Sequence, residues 1–335
     1  MQWFVVPDLD GPTSGGTQYD RMLLAAASGT GLSCATLSHA AAPAALVRAT
    51  AGDVFWVDSL FLGSFAGLVA CARADTPVGL IAHYLPSLVE EGEGLALDQL
   101  TVAERSALQA ASLFLVTSDF MGRVIRRLVG DRSPILCVEP GRAGCEPLLL
   151  PDPPVRALLV ANLVPGKGVA PFLAALAKHA ILADDFSLRV VGSLGSDPAY
   201  ARRCVELAAD TRLRGRVDLV GELSPGDTLR AMEASNLLIS ASFMESYGMA
   251  LAEGRAIGLP IVARAGGNVV NLVEPYSGGE LVQDEDELAL AFLRLVREPE
   301  RLRRRLILAR ARSLPPRSWA DAARELASQL PGPCG

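Results

Sequence analysis

The chain between Asn236 and Ala263 admits few folds. Asn236 to Ala241 is a short, mostly apolar run of strand length, and the loop after it carries Glu245. A helical stretch follows from about Gly248 to Ile257, and Leu259 to Ala263 is a second apolar strand. Strand, loop, helix and strand in that order make a βαβ unit, whose two strands lie parallel in one sheet. In open sheets of this kind the ligand sits beyond the carboxyl ends of the strands. Glu245 and Glu253 have seven residues between them, one acid ahead of the helix and one inside it. At about 3.6 residues per turn that spacing is a little over two turns, so both acids address one crevice near the helix N-terminus. The unpaired N–H groups and positive dipole there suit phosphate or sugar oxygens.

The same alternation runs through the rest of the chain. In the first half, strands are predicted at Gln2–Pro7, Val54–Val57, Pro77–Ala82, Leu113–Thr117 and Ile135–Glu139. Helices are predicted at Thr17–Ala27, near Phe61–Arg73, at Asp98–Ala111 and, capped by Ser118, at Asp119–Val129. Leu88–Gly94, acidic and glycine-containing, reads as a mobile loop. Pro140–Pro154 is rich in Pro and Gly and reads as a hinge between domains. Beyond it strands are predicted at Val155–Ala161, Ser187–Val191, Val217–Val220, Asn236–Ala241, Leu259–Ala263 and Glu280–Val282, with helices such as Val169–Ile181 and Pro198–Thr211 between them. Five of these strands run into a glycine, a small polar residue or an ionisable one: Asn162 and then Lys167, Gly192 with Ser193, Gly221 with Glu222, the Glu245 loop, and Gly266 with Gly267. That is how a nucleotide-type cleft is lined in a doubly wound sheet. In the first half, Gly15 and Gly16 occupy a strand-to-helix turn, where backbone can approach a ligand closely, and His83 follows a buried strand. A tight turn and a packed histidine are the plainer readings of those two features. The tail from Leu314 places two prolines ahead of an amphipathic helix capped at Ser318, with Trp319, Ala322 and Leu326 on one face.

Composition narrows the function. The 335 residues suffice for two domains, half of them hydrophobic. A net charge of −6 argues against a sequence-independent nucleic-acid binder. Arg123, Arg126, Arg127 and Arg132 read as a solvated helix face, with a lipid-headgroup contact as the minority reading. Six scattered cysteines without a C-x-x-C pair, and three histidines in all, speak against a structural zinc site and for thiols in a reducing compartment. Met1–Pro7 lacks the basic start of a signal peptide, and the most apolar stretch, Asp53–Ala72, is interrupted by Asp58, Gly63 and Gly67. The expectation is a cytoplasmic protein, soluble or at most peripheral at the inner face of the membrane.

The stretch Ser242–Val262 closely resembles the E-x7-E signature of the retaining glycosyltransferase family four, which has the GT-B fold. The resemblance takes in Gly15–Gly16, His83, Ser118, Val138–Gly141, Lys167–Gly168, Gly192, Val220–Gly221, Gly258–Pro260 and Gly266–Gly267. Gly15 to Arg21 also looks like the GG-x-x-YDR first loop of a bacterial subgroup. What the resemblance implies is an α/β chain of two Rossmann-like domains facing a central cleft. Residues 1–145 would form the acceptor-side domain, 146–312 the nucleotide-sugar domain, and 313–335 a helix returning to the first domain. It also implies a retaining hexosyltransferase, without cofactor or metal, drawing on a nucleotide-diphosphate sugar. Glu253 would take the ribose hydroxyls and Glu245 the donor sugar. Lys167 would neutralise the diphosphate, and Ser246, Tyr247, Gly248 and Met249 would offer backbone N–H groups. Gly15 and Gly16 would approach the phosphate, and His83 would stand near the reacting sugar. Asn162, Gly192, Ser193 and Glu222 complete the expected donor site.

This chain departs from the family pattern at two points. The arginine usually found five residues before the lysine is Asn162 here, leaving Arg264, Arg142 or Arg21 to substitute. The glutamate often found after the second Gly-Gly pair is also missing, since Asn268 follows. The alternatives are a catalytically weak binding or scaffold subunit, and a nucleotide-sugar epimerase. The acceptor, whether small molecule, glycan precursor or lipid, is not named by the residues.

Overall fold

In the computed structural model, residues 1–10, 14–143, 154–180 and 186–330 are described. The chain divides into two units. The first comprises Met1–Gly141 with Arg317–Gly335, and the second Arg142–Pro316. Each unit is built on a six-stranded, wholly parallel sheet.

The first unit contains β1 (Gln2–Val5), β2 (Cys34–Leu37), β3 (Val54–Asp58), β4 (Val78–Ile81), β5 (Leu113–Val116) and β6 (Ile135–Cys137), in the order β2-β1-β3-β4-β5-β6. The inner strands β3, β4 and β5 are buried at every position because helices cover both faces, and this is why they read as unbroken apolar runs. The edge strand β2 escapes sequence reading. Cys34-Ala-Thr-Leu37 is short and no residue of it is buried, so neither period nor hydrophobicity marks it. Leu88–Gly94, expected as a mobile loop, instead continues a helix, Pro86–Glu91, into a single 3-10 turn, Gly92–Gly94. Its acidic, glycine-containing sequence concealed the fully buried anchors Leu85 and Leu88.

The tail helix, Trp319–Gln329, starts with a capping box between Ser318 and Asp321 and buries Ala322, Ala323 and Leu326 in the first unit. Tyr19 meets Trp319 edge-on at 5.7 Å and donates its hydroxyl hydrogen to the Val138 carbonyl at 2.9 Å. A side chain at Gly141 would strike the Trp319 ring at 2.7 Å, so glycine there gives the tail room to dock.

The second unit contains β7 (Val155–Val160), β8 (Phe186–Val191), β9 (Val217–Gly221), β10 (Leu237–Ser240), β11 (Ile261–Arg264) and β12 (Glu280–Val282), in the order β12-β11-β10-β7-β8-β9. The direction of winding reverses between β7 and β10, the first and fourth strands of this sheet. A reversal leaves a crevice outside the carboxyl ends of the two strands, where ligands bind in doubly wound sheets. One hydrophobic core lies under the helices Val169–His179 and Glu285–Arg297, with Phe186 and Phe292 in edge-to-face contact at 5.0 Å. A second, on the other face, holds Leu238, Leu251, Ile261 and Val269.

Candidate active site

At the winding reversal of the second unit, two loops are zipped together by backbone. After β7 comes a 3-10 turn, Pro165–Lys167, and Gly168 at φ +64°. The carbonyl of Gly166 accepts from Phe243 N–H at 3.0 Å. A Cβ on Gly168 would lie 2.0 Å from the Ala241 carbonyl oxygen, so only glycine permits this approach. A third loop, after β11, locks onto the second. The Glu245 N–H donates to Gly266 and the Asn268 N–H donates to Glu245, while a Cβ on Gly266 would meet the Phe243 carbonyl at 2.0 Å. Asn268 also donates its side-chain amide to the Tyr247 carbonyl at 2.7 Å. The residue standing where a glutamate was expected is therefore a brace for the Glu245 loop.

This packing brings Lys167 and Glu245 together, with Nζ and Oε1 2.6 Å apart and both side chains partly accessible. Glu245 thus occupies the cation expected to meet the diphosphate. The helix after the loop, Met249–Ala256, begins at Gly248, which takes a left-handed φ of +88° and has no side chain to cap the first N–H groups. Ser246, Tyr247, Gly248 and Met249 accordingly sit at an uncapped helix start beside the Lys167–Glu245 pair. Glu253 lies in that helix, and burial pushes its carboxyl up to about 7, with no neighbouring charge or hydrogen bond among the described residues to hold it down.

Asn162 is committed to structure, its side-chain oxygen accepting from Ser193 N–H at 2.9 Å. Gly192 presses so closely on β7 that a Cβ would meet the Ala161 carbonyl at 2.0 Å. Asn162, Gly192 and Ser193 therefore form one brace between the ends of β7 and β8. Glu222, after β9, is exposed, and among the described residues no hydrogen bond or ion pair joins it to the Lys167–Glu245 pair. Among the three arginines offered as substitutes, Arg264 lies over the Phe243 ring at 4.3 Å and pairs with Glu285. Arg142 reaches the Glu245 loop, donating from Nη1 to the Tyr247 hydroxyl at 3.4 Å and from Nε to the Pro315 carbonyl at 2.9 Å. Arg21 belongs to the first unit, where its Nε is buried.

In the first unit, Ser14 caps the helix Gly15–Ala27 by accepting from Thr17 N–H at 3.1 Å. Gly15 has open space where a side chain would stand, whereas a Cβ on Gly16 would lie 3.1 Å from the His83 ring. His83 is nearly buried, with its Nε2 2.9 Å from Asp20 Oδ1 and Tyr19 edge-on at 5.2 Å. Burial opposes the imidazolium, but Asp20 and Asp58 outweigh it and the histidine titrates above its ordinary value. Asp20, Asp58 and His83 bring one donor atom each to within 4.8 Å of one another. Sequence reasoning named His83 and missed both aspartates. The available signal was Asp58, an acid directly after the apolar run Val54–Val57.

Residues 146–312, about half of the chain, match the family described as Glycosyl transferases group 1. A curated relative, the D-inositol 3-phosphate glycosyltransferase of Nocardioides sp., is 26% identical over 248 residues, covering 67% of this chain and 54% of that protein. The chain spans about half the length of the curated relatives it matches. Sucrose-phosphate synthase from Thermosynechococcus elongatus superposes with a TM-score of 0.75 at 19% identity, over 98% of this chain and 97% of that one. Anabaena HepE in complex with UDP-glucose superposes at 0.70 and 18% identity, over 98% of both chains. No described helix is long and apolar enough to cross a membrane. The second unit is a glycosyl transferases group 1 domain, carried on a chain with the GT-B glycosyltransferase fold.

Proposed function

We propose that this protein transfers a hexose-type sugar from a nucleotide-diphosphate donor to an acceptor hydroxyl, with retention of configuration. The observation that carries the reading is the group at the winding reversal of the second unit: Lys167 paired to Glu245, a helix start without a side-chain cap, and Glu253 without a counter-charge among the described residues. Lys167 exchanges Glu245 for the diphosphate, and Glu245 turns to the sugar hydroxyls. Glu253 accepts the ribose hydroxyls. The uncapped N–H groups and the Lys167 ammonium stabilise the departing nucleotide diphosphate, so the reaction proceeds without added metal. The UDP-glucose held by one structural neighbour makes a uridine donor the first to test.

The experiment is a thermal-shift screen of nucleotide sugars, because a bound donor stabilises the fold by mass action, followed by a transfer assay run with and without a chelator. The expected result is stabilisation by one donor class and turnover that survives the chelator. Turnover that requires divalent metal refutes the metal-free reading, and the absence of binding to any nucleotide sugar refutes the assignment.

A second reading, a donor-binding subunit with little turnover, is favoured by Asn162, which replaces a cation and is held by Ser193. Donor binding with neither transfer nor donor hydrolysis selects it.

A further inference from the structure

We propose that Asp20 and Asp58 are positioning residues that hold His83 as an imidazolium, with Nδ1–H as the group offered to substrate. The inference rests on the transferase reading for its consequence in turnover, but the arrangement itself is confined to the first unit. Nε2 of His83 is 2.9 Å from Asp20 Oδ1. Nδ1 has no hydrogen-bond partner among the described residues, in a side chain that keeps 9% of its surface exposed. The ring is fixed from two further sides, by Tyr19 edge-on and by the backbone of Gly16, where a side chain would press on it.

The carboxylates explain why the ring is charged. Asp20 and Asp58 are each 1% exposed, and each keeps a second oxygen, Oδ2, that is buried with no hydrogen-bond partner among the described residues. Asp58 is anchored through its other oxygen, which accepts from Leu60 N–H at 2.7 Å. Two buried orphan acceptors this close cannot both stay ionised cheaply, and one proton shared between them satisfies both. Burial accordingly pushes Asp58 up to about 6, with Asp20 adding to the shift and the His83 charge opposing it. Below about 6 a protonated Asp58 offers its hydrogen to Asp20, and above it Asp58 adds its own charge beside the ring. As Asp58 loses its proton, its added negative charge strengthens the hold on His83. The charged groups facing His83 are Asp20 from the helix Gly15–Ala27 and Asp58 from the end of β3, and Tyr19 faces it as a neutral phenol.

The consequence is a direction of proton traffic. His83 donates a hydrogen bond to an oxygen that carries or gains negative charge, and it does not act as the base that deprotonates the acceptor. Turnover should therefore fall as pH rises through the raised His83 titration, where a base would instead gain.

The test is a histidine titration by 15N NMR on the unliganded protein, which carries three histidines, with His83 assigned by loss of its signals in His83→Gln. Wild type is expected to show His83 with both nitrogens protonated in most molecules at pH 6.5, the ordinary histidine value. Asp20→Asn should drop its titration to 6.5 or below, because burial then acts without a direct counter-charge. Asp58→Asn removes the weaker of the two supporting charges and should lower the His83 titration by less than Asp20→Asn does. Unchanged His39 and His179 signals report that each variant is folded. In kinetics, Asp20→Asn should lower kcat tenfold or more while the donor KM stays within threefold. A neutral His83 in wild type at pH 6.5, an unmoved His83 titration in Asp20→Asn, or a stoichiometric divalent ion in the purified protein overturns the proposal. Because the titration needs neither donor nor acceptor, a failed transfer assay leaves it standing and a failed titration leaves the transferase reading untouched.

Discussion

Glu253→Gln, examined against pH, tests the donor site most directly. The carboxyl of Glu253 titrates near 7 rather than at 4.5 because burial strips its hydration without supplying a partner. That displacement corresponds to roughly 3 kcal/mol against the ionised form. Two ribose hydroxyls donating to the carboxylate favour the ionised form, so binding must displace the proton and shift the titration downward. With a free value of about 7, only about a tenth of the sites are ready at pH 6, while nearly all are ready at pH 8. Donor affinity should therefore rise close to tenfold from pH 6 to pH 8, about 1.4 kcal/mol. Isothermal titration calorimetry in two buffers of different ionisation enthalpy should show up to one proton released per donor bound at pH 6, fading by pH 8. The ligand should be a nucleotide sugar, whose diester diphosphate does not titrate in this range. Glu253→Gln should bind more weakly at pH 8 and with little pH dependence. The unliganded protein should behave in the opposite sense. Its folded carboxyl holds the proton more tightly than the unfolded one, so this group's contribution is present below 4.5 and is lost as pH rises through about 7. A pH-flat affinity in wild type, or the same slope in the Gln variant, refutes the reasoning.

Other expectations follow from the same geometry. Lys167→Ala should reduce kcat by about two to three orders of magnitude, as expected when one preorganised charge on the leaving group is worth about 3–4 kcal/mol, and single-turnover kinetics with saturating donor would reveal it. Gly168→Ala combines a left-handed φ of +64° with a Cβ 2.0 Å from the Ala241 carbonyl, so urea denaturation should show a loss of at least about 1–3 kcal/mol and a weakened donor site. Tyr19→Phe removes the donor to the buried Val138 carbonyl and should cost about 1–3 kcal/mol in the same assay, with the loss confined to the first unit.

What the sequence by itself determined is the alternating order of elements. The helix after Glu245 begins at Met249 where Gly248 signals it, and all six strands of the second unit stand within a residue or two of their expected places. Parallel strands buried on both faces show as apolar runs, and glycines at strand ends mark where backbones must touch, so these features are local and readable. The short, half-exposed β2 is unreadable for the same reason, since it lacks that local signal.

Only the tertiary structure decided what the polar residues do. Seven intervening residues fixed Glu245 and Glu253 near one helix start, but it took the folding of β7 against β10 to place Lys167 on Glu245 and leave Glu253 without a partner among the described residues. Asn162, seen from the sequence as a missing cation, proved to be a brace for Ser193. Asp20 and Asp58 lie 63 and 25 residues before His83, and no periodicity links them until β3 and β4 pair in parallel. Charge and hydrogen bonding act over a few ångströms of space and are indifferent to distance along the chain.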